Sequence, residues 1–559
     1  MSTPSLIGSS AVMASGTVVS RVTGVLRDVA MTAALGFYVV SDAYSLGNTM
    51  PNVLYILIAG GALNAVFIPQ LVRKMKEDAD GGAAYADRLL TITGLTLLFF
   101  SVAAVLAAPL LVDLYATSAY SDEQRELATA FARLCLPQIF FYGVYTLIAQ
   151  VLNSRGKFGP PMFAPIANNI IAIATFVLFL VIAGTSAAAD GVLTTDQILL
   201  LGIGTTLGVV TQAVILLPVM WRAGYRWRPR FDWRNAGLGK SGRLAVWTIG
   251  LVVVNQAGYV VITRLATLAN VTAADEGLVA AGLTTYQKAH LIFMLPHSVI
   301  TVSIVTALLP ALSRTAHAGK LRQVGGDVAG AMKLTAALII PVTAVLVVVA
   351  PGISLLLFGY GAATPEQARL TGLITSVFML GLLPFTLFYV LFRGFYALED
   401  TRTPFLVSIL MNVVAIGVAV PAFYAVSGGA QIAALAFGYV CGFWATFIAS
   451  WLILARRLGG LESARTLLSL GRMMVAGVLV LGAGFGVQFF SPLNFLIDGG
   501  PDDRLGILLN VVVLSLIGGL FYLGLARLLG ISEIREVLAI VWRRFGSRSA
   551  RRDSGQDVA

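Results

Sequence analysis

The stretch Arg155–Ile173, RGKFGPPMFAPIANNIIAI, has a counterpart 243 residues later, Leu398–Ile416, LEDTRTPFLVSILMNVVAI. In each copy a proline (Pro161, Pro404) stands eight residues before an asparagine (Asn169, Asn412). An apolar pair and Ala-Ile follow the asparagine both times. The same offset carries VVSR, ending at Arg21, onto VITR, ending at Arg264. An offset of 241 pairs IPQLVRK (Pro69, Arg73) with LPALSRT (Pro310, Arg314). Three matches in order, at nearly one offset, indicate a duplicated unit.

Composition says what the unit is made of. Of 559 residues, 58% are hydrophobic and 12% charged, and mean hydropathy is +0.86. A soluble domain carries about 25% charge. Such a chain cannot cover itself with polar surface, so its solvent is lipid for much of its length. Disordered, fibrous, disulfide-rich secreted and soluble-enzyme classes are excluded. Cys135 and Cys441 both lie in apolar runs and form neither a disulfide framework nor a CxxC site.

Long apolar runs predict about fourteen transmembrane helices: 8–38, 43–70, 88–115, 126–152, 161–184, 197–221, 243–268, 281–312, 329–358, 367–397, 404–426, 430–455, 471–490 and 505–529. The fold class is therefore an all-α polytopic membrane protein. The repeat makes it two six-helix halves plus two C-terminal helices. Six is even, so both halves enter the membrane in the same sense, as a parallel pair about an axis along the membrane normal. Residues 1–225 form the first half, 226–457 the second and 458–530 the two extra helices. Residues 531–559 form a tail, amphipathic over Ile531–Phe545 and disordered after it. The first run is too long, too charged and too poor in basic flanks to be a signal peptide.

The net charge of +11 is distributed by loop. Most of the 38 lysines and arginines fall in alternate loops and the tail, as in Arg73–Lys76, Arg222–Arg243, Arg314–Lys333 and Arg456–Arg472. The other loops are mostly acidic, with Asp122, Glu123, Asp190, Asp275, Glu276, Asp502 and Asp503. This alternation places both termini in the cytoplasm. The basic loops set topology and meet anionic headgroups; no nucleic-acid partner is expected.

A second set of charges lies inside the spans, where each costs at least about 2.5–3.5 kcal/mol. Arg21, Arg27 and Asp28 are in the first span, Arg264 in the seventh, and Lys288 with His290 in the eighth; Asp42 sits at the outer mouth of the second. Asp28 falls about 20° from Arg21 around the helix, and Arg27 about 120° from it. Gly24 between the arginines suits a bend or close approach. Arg21, Arg27, Arg264 and Lys288 outnumber Asp28 and Asp42, so the cavity suits an anion, and the arginine fork suits phosphate or pyrophosphate. Arg133 and Arg393 read more simply as reaching an interface, and His290 and His297 as packed core residues. Asn52, Asn64, Asn168, Asn169, Asn255 and Gln256 read as interhelical hydrogen-bond partners. Pro51, Pro137, Pro296, Pro341 and Pro384 predict broken helices.

There is no GxxxxGK[ST] loop, no HExxH and no metal cluster, so no cofactor is expected. Energy must come from an ion gradient, the membrane potential or the substrate gradient. A drug exporter of cations needs a carboxylate-rich cavity, which this chain lacks. A transferase needs a general base near the surface, and His317 has no partner motif. A scaffold of wall synthesis has no need of deep arginines. An exporter of another lipid-linked glycan stays open on the residues alone.

The string SRVTGVLRD (Ser20–Asp28) resembles the SRxxGxxRD signature of the MurJ/MviN family, the lipid II flippases. The further pieces follow in order: SDA at 41–43, MPN at 50–52, GALNAVFIP at 61–69, RGKFGPPMFAP at 155–165, FMLPHSV at 293–299 and FYALEDTRTP at 395–404. The resemblance implies the fold of the multidrug, oligosaccharidyl-lipid and polysaccharide exporters. It implies flipping of lipid II, the undecaprenyl-pyrophosphate-linked wall precursor, from the inner to the outer leaflet of a bacterial cytoplasmic membrane by alternating access. It makes Arg21, Arg27, Asp42 and the adjacent Asp28 substrate-site residues, with Arg264 and Lys288 beside them. It gives the two extra helices a groove for the lipid tail, and allows a coupling cation and wall-synthesis proteins as further partners. The family's usual arginine after the PN of the second span is replaced by Val53-Leu54-Tyr55-Ile56, and its glutamate before Gly-Ala by Gly60. Lys288 or His290 stands where an arginine is usual in the eighth span.

Overall fold

A computed structural model describes residues 6–60, 82–232, 242–490 and 503–535. Several expectations lie outside the described residues: GALNAVFIP, Asn64, the Pro69 and Arg73 half of one repeat match, and the cations Arg73, Lys74, Lys76, Arg234 and Lys240. Asp502 and the tail beyond Arg535 lie outside them too. Among the described residues every regular element is helical.

The first compact unit comprises Met1–Lys288, Leu357–Ala368 and Ala422–Ile432, and the second Ala289–Leu356, Arg369–Pro421 and Ala433–Ala559. In chain order the helices are α1 Leu6–Leu35, α2 Val39–Tyr55, α3 Ala83–Leu106, α4 Ala108–Tyr115, α5 Asp122–Cys135, α6 Gln138–Ser154, α7 Gly159–Ala183, α8 Thr195–Val214, α9 Leu216–Arg222 and α10 Gly242–Asp275. They continue with α11 Leu283–Pro296, α12 Val302–His317, α13 Leu321–Phe358, α14 Pro365–Met379, α15 Leu382–Ala397, α16 Arg402–Tyr424, α17 Gly429–Leu458, α18 Ser463–Phe490 and α19 Arg504–Leu528.

Among the described residues eleven helical segments are long and apolar enough to cross a bilayer, or twelve if α14 and α15 are one span bent by 48°. They coincide with the expected third to fourteenth spans. α1 is not among them: it carries Arg21, Arg27 and Asp28 amid serines and glycines. The second expected span runs into the undescribed residues 61–81. Their outward faces are apolar: Phe99, Leu106 and Val181 are 68%, 77% and 78% exposed. Lipid is the solvent that tolerates such faces, and the chain is an integral membrane protein.

The helix starts follow local chemistry. α5 begins with a reciprocal capping box between Ser121 and Gln124, and α8 with one between Thr194 and Gln197. Asp122, Glu123 and Asp196 sit in those first turns, where the helix dipole favours anions. Of the prolines expected to break helices, Pro137 separates α5 from α6, and Pro384 follows the break before α15. Pro51 and Pro296 each precede a π turn, Ile56–Gly60 after α2 and His297–Thr301 after α11. Pro341 breaks nothing: α13 runs through it for 38 residues.

In the first unit α1 packs on α7, α7 on α8, α2 on α5 and α3 on α6, while α10 lies against α2 and α4. Tyr85, Leu89, Ile148, Leu152, Leu216 and Met220 form one dry cluster there. In the second unit α12 packs on α15 and α18 on α19, and Val348, Val349 and Leu514 tie α13 to α19. The close approach expected at Gly24 falls elsewhere. A Cβ at Gly24 would meet only Asn169 at an ordinary 3.7 Å, whereas one at Gly16 would press on Met162 and Phe163 at 3.0 Å.

Candidate functional site

Three charged side chains converge within the first unit. Arg27 and Asp28 are neighbours on α1, and Arg27 Nη2 donates to Asp28 Oδ2 at 3.0 Å. Lys288, from the first turns of α11, donates its Nζ to Asp28 Oδ1 and lies 3.3 Å from Met31 Sδ. Lys288 is buried and Asp28 nearly so, at 4% and 14% side-chain exposure; Arg27 is 38% exposed. A lone buried charge is costly unless paired, so the carboxylate is what allows Lys288 to stay here. Two cations on one carboxylate leave one net positive charge.

Asn169 steadies the arginine. Its Nδ2 donates to Ser20 O at 3.1 Å and Thr23 Oγ1 at 3.0 Å, which fixes the amide. Its Oδ1 then accepts from Arg27 Nη1 at 3.4 Å. Asn169 is thus the interhelical partner the sequence predicted. Guanidinium carries five N–H donors; two are used, and the others have no partner among the described residues. The cluster lines a cavity of about 140 Å³ whose other walls include Asn48, Thr49, Tyr142, Asn168 and Gln287. Gln287 is held by donating to Thr49 Oγ1 at 3.2 Å and to the Tyr259 hydroxyl at 3.1 Å. The walls are polar and neutral, and the charge is cationic, so the site suits a small anionic group. Its volume is below the roughly 300 Å³ at which pockets enclose drug-sized ligands.

Asp42 is fully buried and pairs with no arginine among the described residues. Its Oδ1 accepts from the Thr284 N–H at 2.7 Å, and its Oδ2 from the Leu283 N–H at 2.9 Å and Asn270 Nδ2 at 2.8 Å. The carboxylate of α2 therefore caps the N-terminus of α11, where unpaired N–H groups and the helix dipole both favour an anion. Gly282 is required here, because a Cβ would collide with Asp42 Oδ2. Asn270 also donates to Phe37 O at 3.0 Å.

The other predicted residues scatter. Arg21 is exposed and makes no hydrogen bond or ion pair among the described residues; it does not join Asp28. Arg264 does not reach the cluster either: its Nη1 donates to Asp113 O at 2.7 Å and Leu114 O at 3.3 Å, closing the C-terminus of α4. Of the two stand-ins for the usual arginine of the eighth span, Lys288 joins the cluster. His290 instead packs in the second unit, 3.2 Å from the Tyr439 hydroxyl and against Phe293 and Phe378. His297 stacks on Phe385 and Tyr389 there. Arg393 lies over the Tyr389 ring at 4.5 Å. Among the described residues no three His, Cys, Asp or Glu side chains are grouped to hold a metal.

Asn270, Gln287 and Thr284 escaped the sequence reading. The repeat offset would have found two of them, since Asn270 and Thr284 stand 243 positions after Arg27 and Ser41. No charge marks Gln287.

A family profile described as Lipid II flippase MurJ matches residues 31–497. A probable lipid II flippase MurJ of Rhizobium meliloti is 28% identical over 73% of this chain and 74% of its own. One of Thermotoga maritima is 25% identical over 94% and 96%. A solved structure titled Lipid II flippase MurJ, inward closed conformation, superposes with a TM-score of 0.69 at 19% identity, covering 92% of this chain and 99% of that one. An inward-facing multidrug resistance MATE family transporter gives 0.58 at 15% identity, covering 79% and 96%. The two structural likenesses speak for the fold, and the profile, which spans most of the sequence, speaks for descent: this chain belongs to the lipid II flippase MurJ family.

Proposed function

We propose that the chain is a transporter, not an enzyme, and carries lipid II from the inner to the outer leaflet of a bacterial cytoplasmic membrane by alternating access. The observation that carries this reading is the pairing of Arg27 and Lys288 on one carboxylate in a polar cavity. A pyrophosphate offers the same acceptor chemistry as Asp28 with more charge. It would compete for the donors of both cations, and the exchange would tie binding to a change of state.

In this reading Arg21, exposed on the same helix, meets the anion before Arg27 does. Asp42 holds the outer end closed by capping α11, and releases it when the cavity opens outward. Arg264 keeps a positioning task at the end of α4. Residues 1–225 and 226–457 act as the rocking halves, 458–530 hold the lipid tail, and 531–559 lie on the cytoplasmic face with both termini inside. The membrane potential supplies direction through the mobile charges; a coupling cation and wall-synthesis proteins are further partners in the same proposal.

Proteoliposomes carrying labelled lipid II provide the test. The expected result is flipping well above that of empty liposomes and at least tenfold slower flipping by Arg27→Ala. A wild-type rate equal to that of empty liposomes overturns the proposal.

A further inference from the structure

A second cavity, of about 870 Å³, lies in the first unit between α4, α5 and the segment leading into α8. One face of α5 supplies Glu123, Glu126, Ala130 and Arg133, spaced three, four and three residues apart. Asp190, Val192 and Ile198 close the far side. Arg125 is engaged by Asp113. The side chains of Glu123, Glu126, Asp190 and Arg133, all exposed, make no ion pair or hydrogen bond with one another or with any other described residue. Four unspent charges thus share one cavity, and they are ordered: acids toward the start of α5, the base deeper.

The order can be set against the bilayer. α5 and α6 form one span of 33 residues, about 50 Å at 1.5 Å per residue. The hydrocarbon layer is about 30 Å thick, so about 10 Å of helix stands outside it at each end. Arg133, eleven residues in from Asp122, lies about 16 Å along the axis and about 6 Å below the boundary. An arginine that snorkels outward spans that depth and brings its guanidinium to the phosphate level. Glu126 lies about 4 Å and Glu123 about 8 Å outside the boundary.

We infer that this cavity is a binding site for a phospholipid with an ammonium-bearing zwitterionic headgroup, of the phosphatidylethanolamine class. Arg133 takes the phosphate, Glu123, Glu126 and Asp190 take the ammonium that projects beyond it, and Val192 and Ile198 flank the first acyl carbons. An anionic lipid of the phosphatidylglycerol class would offer the three carboxylates neutral hydroxyls, which donate hydrogen bonds but supply no cation to pair with. The outer leaflet is assigned by the orientation proposed above. The binding itself is independent of transport.

Native mass spectrometry of the detergent-purified chain, with phosphatidylethanolamine or phosphatidylglycerol added in equal amounts, tests this. The expected result is at least threefold greater retention of phosphatidylethanolamine. Arg133→Gln and the pair Glu123→Gln/Glu126→Gln should each bring the two lipids level, while Arg133→Lys keeps the preference. Equal retention of both lipids by the unaltered chain overturns the inference, as does an undiminished preference in the glutamine variants. Since no lipid II is present, neither outcome bears on the flipping proposal.

Discussion

Ser41 donates its hydroxyl to that of Thr284 across 3.0 Å, and the two residues are 243 positions apart in the chain. That is the offset between Pro161 and Pro404, and between Arg21 and Arg264. Ser45 lies 3.0 Å from the same threonine hydroxyl. Residues related by a two-fold axis touch each other only where the axis passes between them. In the duplicated-half proposal this contact marks the axis, with the Asp42 cap and the Lys288 turn beside it.

The charge cluster should behave as one unit. Asp28→Asn leaves Arg27 and Lys288 facing each other without a carboxylate. Removing one partner of a buried pair costs about 3–5 kcal/mol, and a loss in that range is expected. Lys288→Met in the same chain removes the second buried cation and should recover part of it. Thermal unfolding in detergent measures Asp28→Asn, Lys288→Met and the double variant; losses that simply add would show that the groups are not coupled.

Asp42→Asn keeps the shape but accepts through one oxygen. Its amide nitrogen then faces either the Thr284 N–H, or both the Leu283 N–H and Asn270 Nδ2, and leaves those donors unpaired. An unsatisfied buried donor costs about 1–3 kcal/mol. Hydrogen exchange in a peptide covering 280–290 should therefore quicken about tenfold or more. Gly282→Ala should do the same by displacing the carboxylate; unchanged protection in both would remove the cap from the account.

Arg21 and Arg264 occupy matching positions of the repeat but different surroundings, and their substitutions should separate. Arg21→Ala should leave the melting temperature within error and slow lipid II flipping severalfold. Arg264→Ala should lose about 1–2 kcal/mol through the freed carbonyls of α4, with flipping falling only as far as stability does. A melting curve and a flipping assay on each variant distinguish the two; equal loss of flipping at equal stability would return Arg264 to the transport site.

Acid should loosen the junction between α15 and α16. Asp400 Oδ1 accepts from the Thr403 N–H at 3.0 Å, and its other oxygen from Arg457. Burial pushes this carboxyl up, but the Thr403 and Arg457 hydrogen bonds outweigh it and leave it below the usual carboxylate range. A depressed folded-state value means the contribution is whole above the unfolded value of about 3.9 and is lost as pH falls through the folded one. Asp400→Asn should melt below the unaltered chain at pH 7, and the gap should close between about pH 4 and pH 2. A gap that persists at pH 2 would contradict this.

Much of the fold was legible because a lipid solvent writes itself into the sequence as long apolar runs: α3 through α19 fall on the expected spans. Asn169 was legible too, since an amide inside such a run must find a partner. Arg264 lies apart from the cluster for a definite reason. The free carbonyls it meets, at Asp113 and Leu114, belong to the last turn of α4, and backbone acceptors carry no side-chain mark in the sequence. Asp42 reads in the sequence only as one charge among several; the N-terminus of α11, which it caps, carries its positive end in the backbone and leaves no mark in the side chains.

The π turns at Ile56–Gly60 and His297–Thr301 stand 241 positions apart, the offset of one of the repeat matches. A π turn is an α-helix holding one residue too many. Rewinding 297–301 as plain α, with no residue removed, would turn everything beyond it by about 100°, leaving both ends of the helix wound as before. Each of these two π turns thus holds a rotation in reserve as a miscount of residues.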